Sequence, residues 1–247
     1  MSHNSENPIY IDKAKWDAPE KFSARFKALI EMYREIFGVT SIPKDGQFWT
    51  LSGSQFRKGL EIFGELAHIL YDELIHLDQY FGVDRELEII NQNKKFWPTA
   101  NWIHGDFLRV IENAIMSGKF NPSIINYDGV MQPINSSQYL KKILDLIDYN
   151  VSGKLMLVTN FVLTNPYLCN TGRLKFSVHD ILEELRKVYN MPEHWSVYPE
   201  SFGYKHSRAH MGIIVFIKQK HDIKNWSILP DYEVGYQATR SNRGLVA

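Results

Sequence analysis

The sequence predicts an α/β protein: a three-layer, doubly wound, mostly parallel sheet of seven strands with a C-terminal antiparallel hairpin strand. Three observations carry this. From residue 48 to about residue 189, short apolar runs alternate with longer segments of helical periodicity, the pattern of a parallel sheet built from right-handed crossovers. Residues 154–163 are almost continuously apolar, which suits a central strand covered on both faces. Residues 195–204 and 210–218 are strand-like and joined by a connection too short for a crossover helix, so they pair antiparallel.

In chain order, residues 19–37 open with Pro19 and carry Phe22, Phe26, Leu29, Ile30, Tyr33 and Phe37 near helical spacing. They predict a leading helix closed by Gly38. The aromatic run Phe48, Trp49, Thr50, Leu51 is the first strand and stops at Ser52-Gly53-Ser54. Leu60, Phe63, Leu66, Ala67, Leu70 and Leu74 repeat at three and four, which predicts a first crossover helix over residues 55–75. The unit then repeats: strand 80–84 and helix 85–96, strand 101–106 and helix 107–117, strand 123–128 and helix 136–150. After the fifth strand, a helix over 178–189 precedes the hairpin.

Composition narrows the function. A chain of 247 residues, 44% hydrophobic, can bury a sizeable core as one domain. We read residues 1–46 as a tail and leading helix, 47–220 as the folded body and 221–247 as a polar tail. Lys plus Arg and Asp plus Glu both total 28, so no global field draws the protein to phosphate or to an anionic membrane. The lone Cys169 excludes an intramolecular disulfide and a thiolate zinc site and fits a reducing, cytoplasmic setting. No apolar run approaches the ~20 residues of a membrane span. His206 and His210 fall at the expected hairpin bend, and no spaced metal-ligand set is present. The Gly-x-Ser-x-Gly elbow and the Gly-Lys-Ser/Thr phosphate loop are absent as well.

Chemistry in such a sheet collects beyond the carboxyl ends of the strands, where strand order reverses. The first loop offers Leu51, Ser52 and Gly53, whose backbone N–H groups can face a polar ligand or simply serve a tight turn. Asp84 ends the second strand, where a carboxylate can accept from the vicinal hydroxyls of a ribose or can cap the next helix. In the third loop, Gly105, Asp106 and Phe107 can together hold an exocyclic amine and cover a purine, with capping again the alternative for Asp106. The fourth loop brings Asn126, Tyr127 and Asp128 to the mouth of the crevice. These three are the candidate catalytic residues. Asp128 can act as base, as substrate clamp or as a turn residue before Gly129. Asn160 and Phe161 lie within the fifth strand, and Asn165, Pro166 and Tyr167 beyond it can wall the substrate.

This order of elements resembles the class I S-adenosylmethionine-dependent methyltransferases over about residues 48–218. In that family an acid ending the second strand holds the ribose, matching Asp84 in Phe-Gly-Val-Asp, and an acid after the third contacts adenine, matching Asp106 in His-Gly-Asp-Phe. The loop after the fourth strand serves catalysis and substrate, matching Asn126 to Gly129. The terminal hairpin separates this family from dinucleotide-binding dehydrogenases. The resemblance implies S-adenosyl-L-methionine as cofactor, bound by Leu51, Ser52, Gly53, Asp84, Arg85, Gly105, Asp106 and Phe107. It also implies an unidentified O or N nucleophile as methyl acceptor. The chain departs from the family in its first loop, Thr50-Leu51-Ser52-Gly53-Ser54, which lacks an acidic Gly-x-Gly core. Glu61 or Glu65 can supply the acid, or can lie on the exposed face of the first helix. The Pro-Pro-aromatic motif of DNA amino-methyltransferases is missing too. The alternative is a non-catalytic Rossmann-like binding module, reaching nucleic acid through Arg240 and Arg243 in the tail.

Overall fold

The computed structural model describes residues 26–53, 55, 57–58, 61–62, 64–131, 133–164, 178–198, 204–206 and 209–220. The start of the expected leading helix, the segment around Asn165 to Tyr167, Cys169 and the Arg240/Arg243 tail lie outside them. The strands are β1 (Gln47–Leu51), β2 (Arg57–Lys58), β3 (Glu61–Ile62), β4 (Tyr80–Asp84), β5 (Asn101–His104), β6 (Pro122–Met131), β7 (Leu155–Thr164), β8 (Trp195–Tyr198), β9 (Tyr204–His206) and β10 (Ala209–Lys218). The α-helices are α1 (Met32–Phe37), which continues a π-helical stretch Phe26–Glu31, α2 (Glu65–Tyr71), α3 (Leu87–Phe96), α4 (Phe107–Met116), α5 (Pro133–Asn150) and α6 (Val178–Val188). As expected, α1 ends at Gly38, whose left-handed φ of 65° lets its N–H reach the Arg34 carbonyl.

The main sheet runs β5-β4-β1-β6-β7-β10-β8, with β9 also paired to β10. Contacts from β5 through β7 are parallel, and β10 is antiparallel to β7, β8 and β9. Strand order reverses between β1 and β6. Successive residues of each strand enter opposite cores, because side chains alternate across a sheet. Phe48, Ile124, Met156 and Val215 pack with Leu29, Ile30, Leu66, Ile69 and Ile90 on one face. Trp49, Ile125, Leu157 and Phe216 pack with helices α4, α5 and α6 on the other. This two-sided burial is what the unbroken apolar runs require.

One expectation is corrected. The first crossover helix does not start at residue 55: β2 and β3 form a small antiparallel ladder there, and α2 begins at Glu65. Gly64, at φ 98°, makes the turn into α2, and a Cβ on it would collide with Gln55 Oε1. Of the expected strand 195–204, β8 pairs with Val215–Lys218 and β9 with Ala209–Met211, both antiparallel to β10, and residues 199–203 lie outside the described residues. Among the described residues no helix is long and apolar enough to cross a membrane.

Candidate functional site

The carboxyl ends of β1, β4, β5 and β6 surround the point of strand reversal. At β1, the Ser52 N–H extends the sheet ladder to the Val83 carbonyl at 3.1 Å, so it serves the fold rather than facing a ligand. Gly53 has φ 54°, and a Cβ there would meet nothing within 4 Å, so its outer side is open. Gln55, 2% exposed, fastens the loop from below. Its Nε2 donates to the Ser52 carbonyl, and its Oε1 accepts the Leu66 N–H at 3.0 Å, covering a helix-end donor of α2. Asn93 on α3 completes the clamp: its Oδ1 accepts from Gln55 N–H, and its Nδ2 donates to the Gly53 carbonyl, both at 2.8 Å.

At β4, Asp84 is half-buried, and its Oδ1 accepts the Glu86 N–H at 2.8 Å. Glu86 is itself the N-cap of α3, so Asp84 shapes the turn into the helix without being its cap. Asp106 is a cap: it stands at the N-cap of α4, its Oδ1 accepting from Arg109 N–H at 3.4 Å. Its Oδ2 pairs with Arg85, a mostly exposed side chain. The ends of β4 and β5 are thereby cross-linked, and the Gly105 N–H adds a bond of 2.9 Å to the Asp84 carbonyl.

Beneath the reversal point lies a buried polar floor. Thr50, Glu65, Asn126 and Asn160 are each 2% exposed or less. Asn126 Nδ2 donates to Glu65 Oε2 at 2.5 Å, with Thr50 Oγ1 at 3.5 Å. The other Glu65 oxygen accepts from the Tyr80 hydroxyl at 3.1 Å. Charge-assisted bonds of this kind offset the cost of burying a carboxylate. One strand further, Asn160 Nδ2 donates to Asp128 Oδ1. Among the described residues no group of three metal-ligating side chains occurs.

No family model and no curated protein matches this sequence. Solved structures do. The plantazolicin methyltransferase BamL, in complex with a triazolic desmethylPZN analog and SAH, is 13% identical over 86% of this chain and 90% of its own, with a TM-score of 0.55. The plantazolicin methyltransferase BpumL, in complex with a monoazolic desmethylPZN analog and SAH, is likewise 13% identical over the same shares, with a TM-score of 0.53. The chain has the class I methyltransferase fold. It follows from the shared architecture together with the strand order and the antiparallel β10 set between β7 and β8.

On this methyltransferase fold the candidate residues divide by environment. Leu51, Ser52, Gly53, Asp84, Arg85, Gly105 and Asp106 all lie at the carboxyl ends of β1, β4 and β5. The Phe107 ring is 2% exposed and packs 5.4 Å from Tyr127, so it supports the loop from the core. Tyr127 is held between Phe107 and Tyr139, the latter at 5.1 Å. Asn126 sits 1% exposed with its amide on Glu65. Asp128 alone of the three expected catalytic residues stands at the irregular end of β6. Glu65, expected on an exposed helix face among other roles, is instead buried. Asn160, placed by the sequence within the fifth strand but given no role there, is a buried amide in a largely apolar strand.

Proposed function

We propose that this chain is an S-adenosylmethionine-dependent methyltransferase acting on an oxygen or nitrogen nucleophile. The observation that carries the reading is Asp84, a carboxylate at the end of the strand beside the reversal point, in a fold shared with two methyltransferases solved with SAH. The donor set suits the cofactor. A carboxylate accepts at about four lone-pair positions, a capacity suited to the paired hydroxyls of a ribose, and Asp84 also holds the turn through the Glu86 N–H. Asp106, fixed by Arg85 and by its cap, is our adenine contact, and the open side of Gly53 gives room for close backbone approach. The cofactor would supply a methyl group on a cationic sulfur, transferred in line to the acceptor. Asp128 is the residue we assign to the acceptor, with Asn126 and Tyr127 as its positioning residues. The site of action we propose is cytoplasmic, in keeping with the single cysteine.

Isothermal titration with S-adenosylmethionine and S-adenosylhomocysteine tests this directly. Both should bind, and Asp84→Ala should weaken each by about 1–3 kcal/mol, the loss of hydrogen bonds at a charged group. Absence of binding by both ligands at millimolar concentration would sink the assignment.

A further inference from the structure

β7 buries Leu155, Met156, Leu157, Val158 and Phe161 almost completely, and Asn160, 2% exposed, sits among them. Burying an amide in such a strand costs stability unless both of its ends are bonded. One end is: Nδ2 donates to Oδ1 of Asp128. The other is not, since Oδ1 has no hydrogen-bond partner among the described residues. The orientation of the amide follows from chemistry, because an ionised carboxylate only accepts and must face the NH2 group.

The neighbouring strand shapes what this carbonyl shares. Tyr127 pairs with Thr159 and Met131 with Phe161, so residues 128–130 of β6 stand opposite Asn160 alone. Extra residues of this kind bulge a strand and re-aim its side chains, and such breaks gather beside active sites. Here the bulge opens at Asp128, at the carboxyl end of the strand next to the reversal point.

We infer that Asn160 Oδ1 and the Asp128 carboxylate form a two-acceptor cradle that selects an amine as the methyl acceptor, a substrate class that rests on the methyltransferase reading. A neutral NH2 group donates two hydrogen bonds from one atom, whereas a hydroxyl donates one. With both N–H bonds held, the nitrogen lone pair is the part left to react. That lone pair forms the new N–C bond as the C–S bond breaks and its electrons pass to sulfur. The nitrogen then releases one proton to the Asp128 carboxylate, which returns it to solvent. Asn160 contributes by orienting the nucleophile, so it is a specificity-determining residue.

The test uses the full chain saturated with S-adenosylhomocysteine and three probes sharing one ring: benzylamine, benzyl alcohol and benzyltrimethylammonium. Titration calorimetry should show benzylamine binding at least roughly ten-fold more tightly than either of the others, as a cradle reading N–H donors requires. Asn160→Leu should erase that preference while leaving S-adenosylhomocysteine affinity and far-ultraviolet circular dichroism unchanged. Asp128→Asn, which exchanges an acceptor for a donor, should erase it also and covers the case in which Asn160→Leu does not fold. Equal binding of the alcohol, no binding of benzylamine, or a preference that survives both substitutions overturns the cradle. Failure of the wild-type protein to bind S-adenosylhomocysteine is a separate result and overturns the methyltransferase reading itself.

Discussion

Lys218 shows how a single side chain sets a pH dependence. It is fully buried at the end of β10, with Nζ donating to the Val151 carbonyl at 2.5 Å. Burial pushes its pKa down from 10.5 to about 8, against an opposing pull from Asp148. The folded protein therefore sheds this proton near pH 8, whereas the unfolded chain keeps it to about 10.5. Between those values the unfolded state binds more protons, so stability rises with pH; below pH 8 the full cost of the buried ammonium is present. Tyr189 acts in the opposite sense. Burial and its bond to Asp148 raise its pKa, so it lowers stability only above about pH 10, where unfolded tyrosine ionises. The clean window is pH 7 to 9.5. Urea denaturation should show wild type gaining about 2 kcal/mol relative to Lys218→Met across it, and parallel pH profiles for the two proteins would refute the assignment. No pattern in the sequence announces this lysine, because its partner carbonyl lies 67 residues away.

At the level of elements, the passage from β1 to α2 is where local periodicity and tertiary structure disagree. Leu60, Phe63, Leu66 and Leu70 repeat as a helix should, yet the helix occupies only Glu65–Tyr71. Periodicity counts apolar residues; it does not register that Gly64 adopts φ 98° or that Gln55 caps α2 while tied to Asn93, 38 residues along the chain. By contrast, the end of α1 at Gly38 and the run of β7 were legible, because each follows from a local rule. The clamp makes a prediction of its own. Gly64→Ala forces a Cβ into Gln55 Oε1 at a backbone angle that favours glycine, and should cost about 1–3 kcal/mol in chemical denaturation. If the Gln55 loop also supports the cofactor, the same substitution lowers S-adenosylhomocysteine affinity. A protein of wild-type stability and affinity would show that the turn is tolerant and the clamp unimportant.

For the whole molecule, the three-layer sheet was readable because alternating short strands and helices leave few right-handed, unknotted topologies. The strand-end acids Asp84, Asp106 and Asp128 were readable for the same reason: position on a strand fixes them. The buried floor was not. Asn126 meets Glu65 across 61 residues and Asn160 meets Asp128 across 32, and such pairings exist only once the sheet has closed. A ligand at the reversal point would touch the ends of β1, β4 and β5 together, so its binding energy should appear as stability of the entire fold. A ligand that binds only the folded state adds RT ln(1 + [L]/Kd), about 2.7 kcal/mol at one hundred times Kd. A chain of this size shifts its melting point by roughly 2–4 °C per kcal/mol. S-adenosylhomocysteine at that concentration should therefore raise the calorimetric Tm by about 5–11 °C. In Asp84→Ala with roughly ten-fold weaker binding, the same concentration adds only about 1.4 kcal/mol, and the rise should halve. A wild-type melting curve that S-adenosylhomocysteine does not move would remove the cofactor from this crevice, and equal shifts in both proteins would remove Asp84 from its binding.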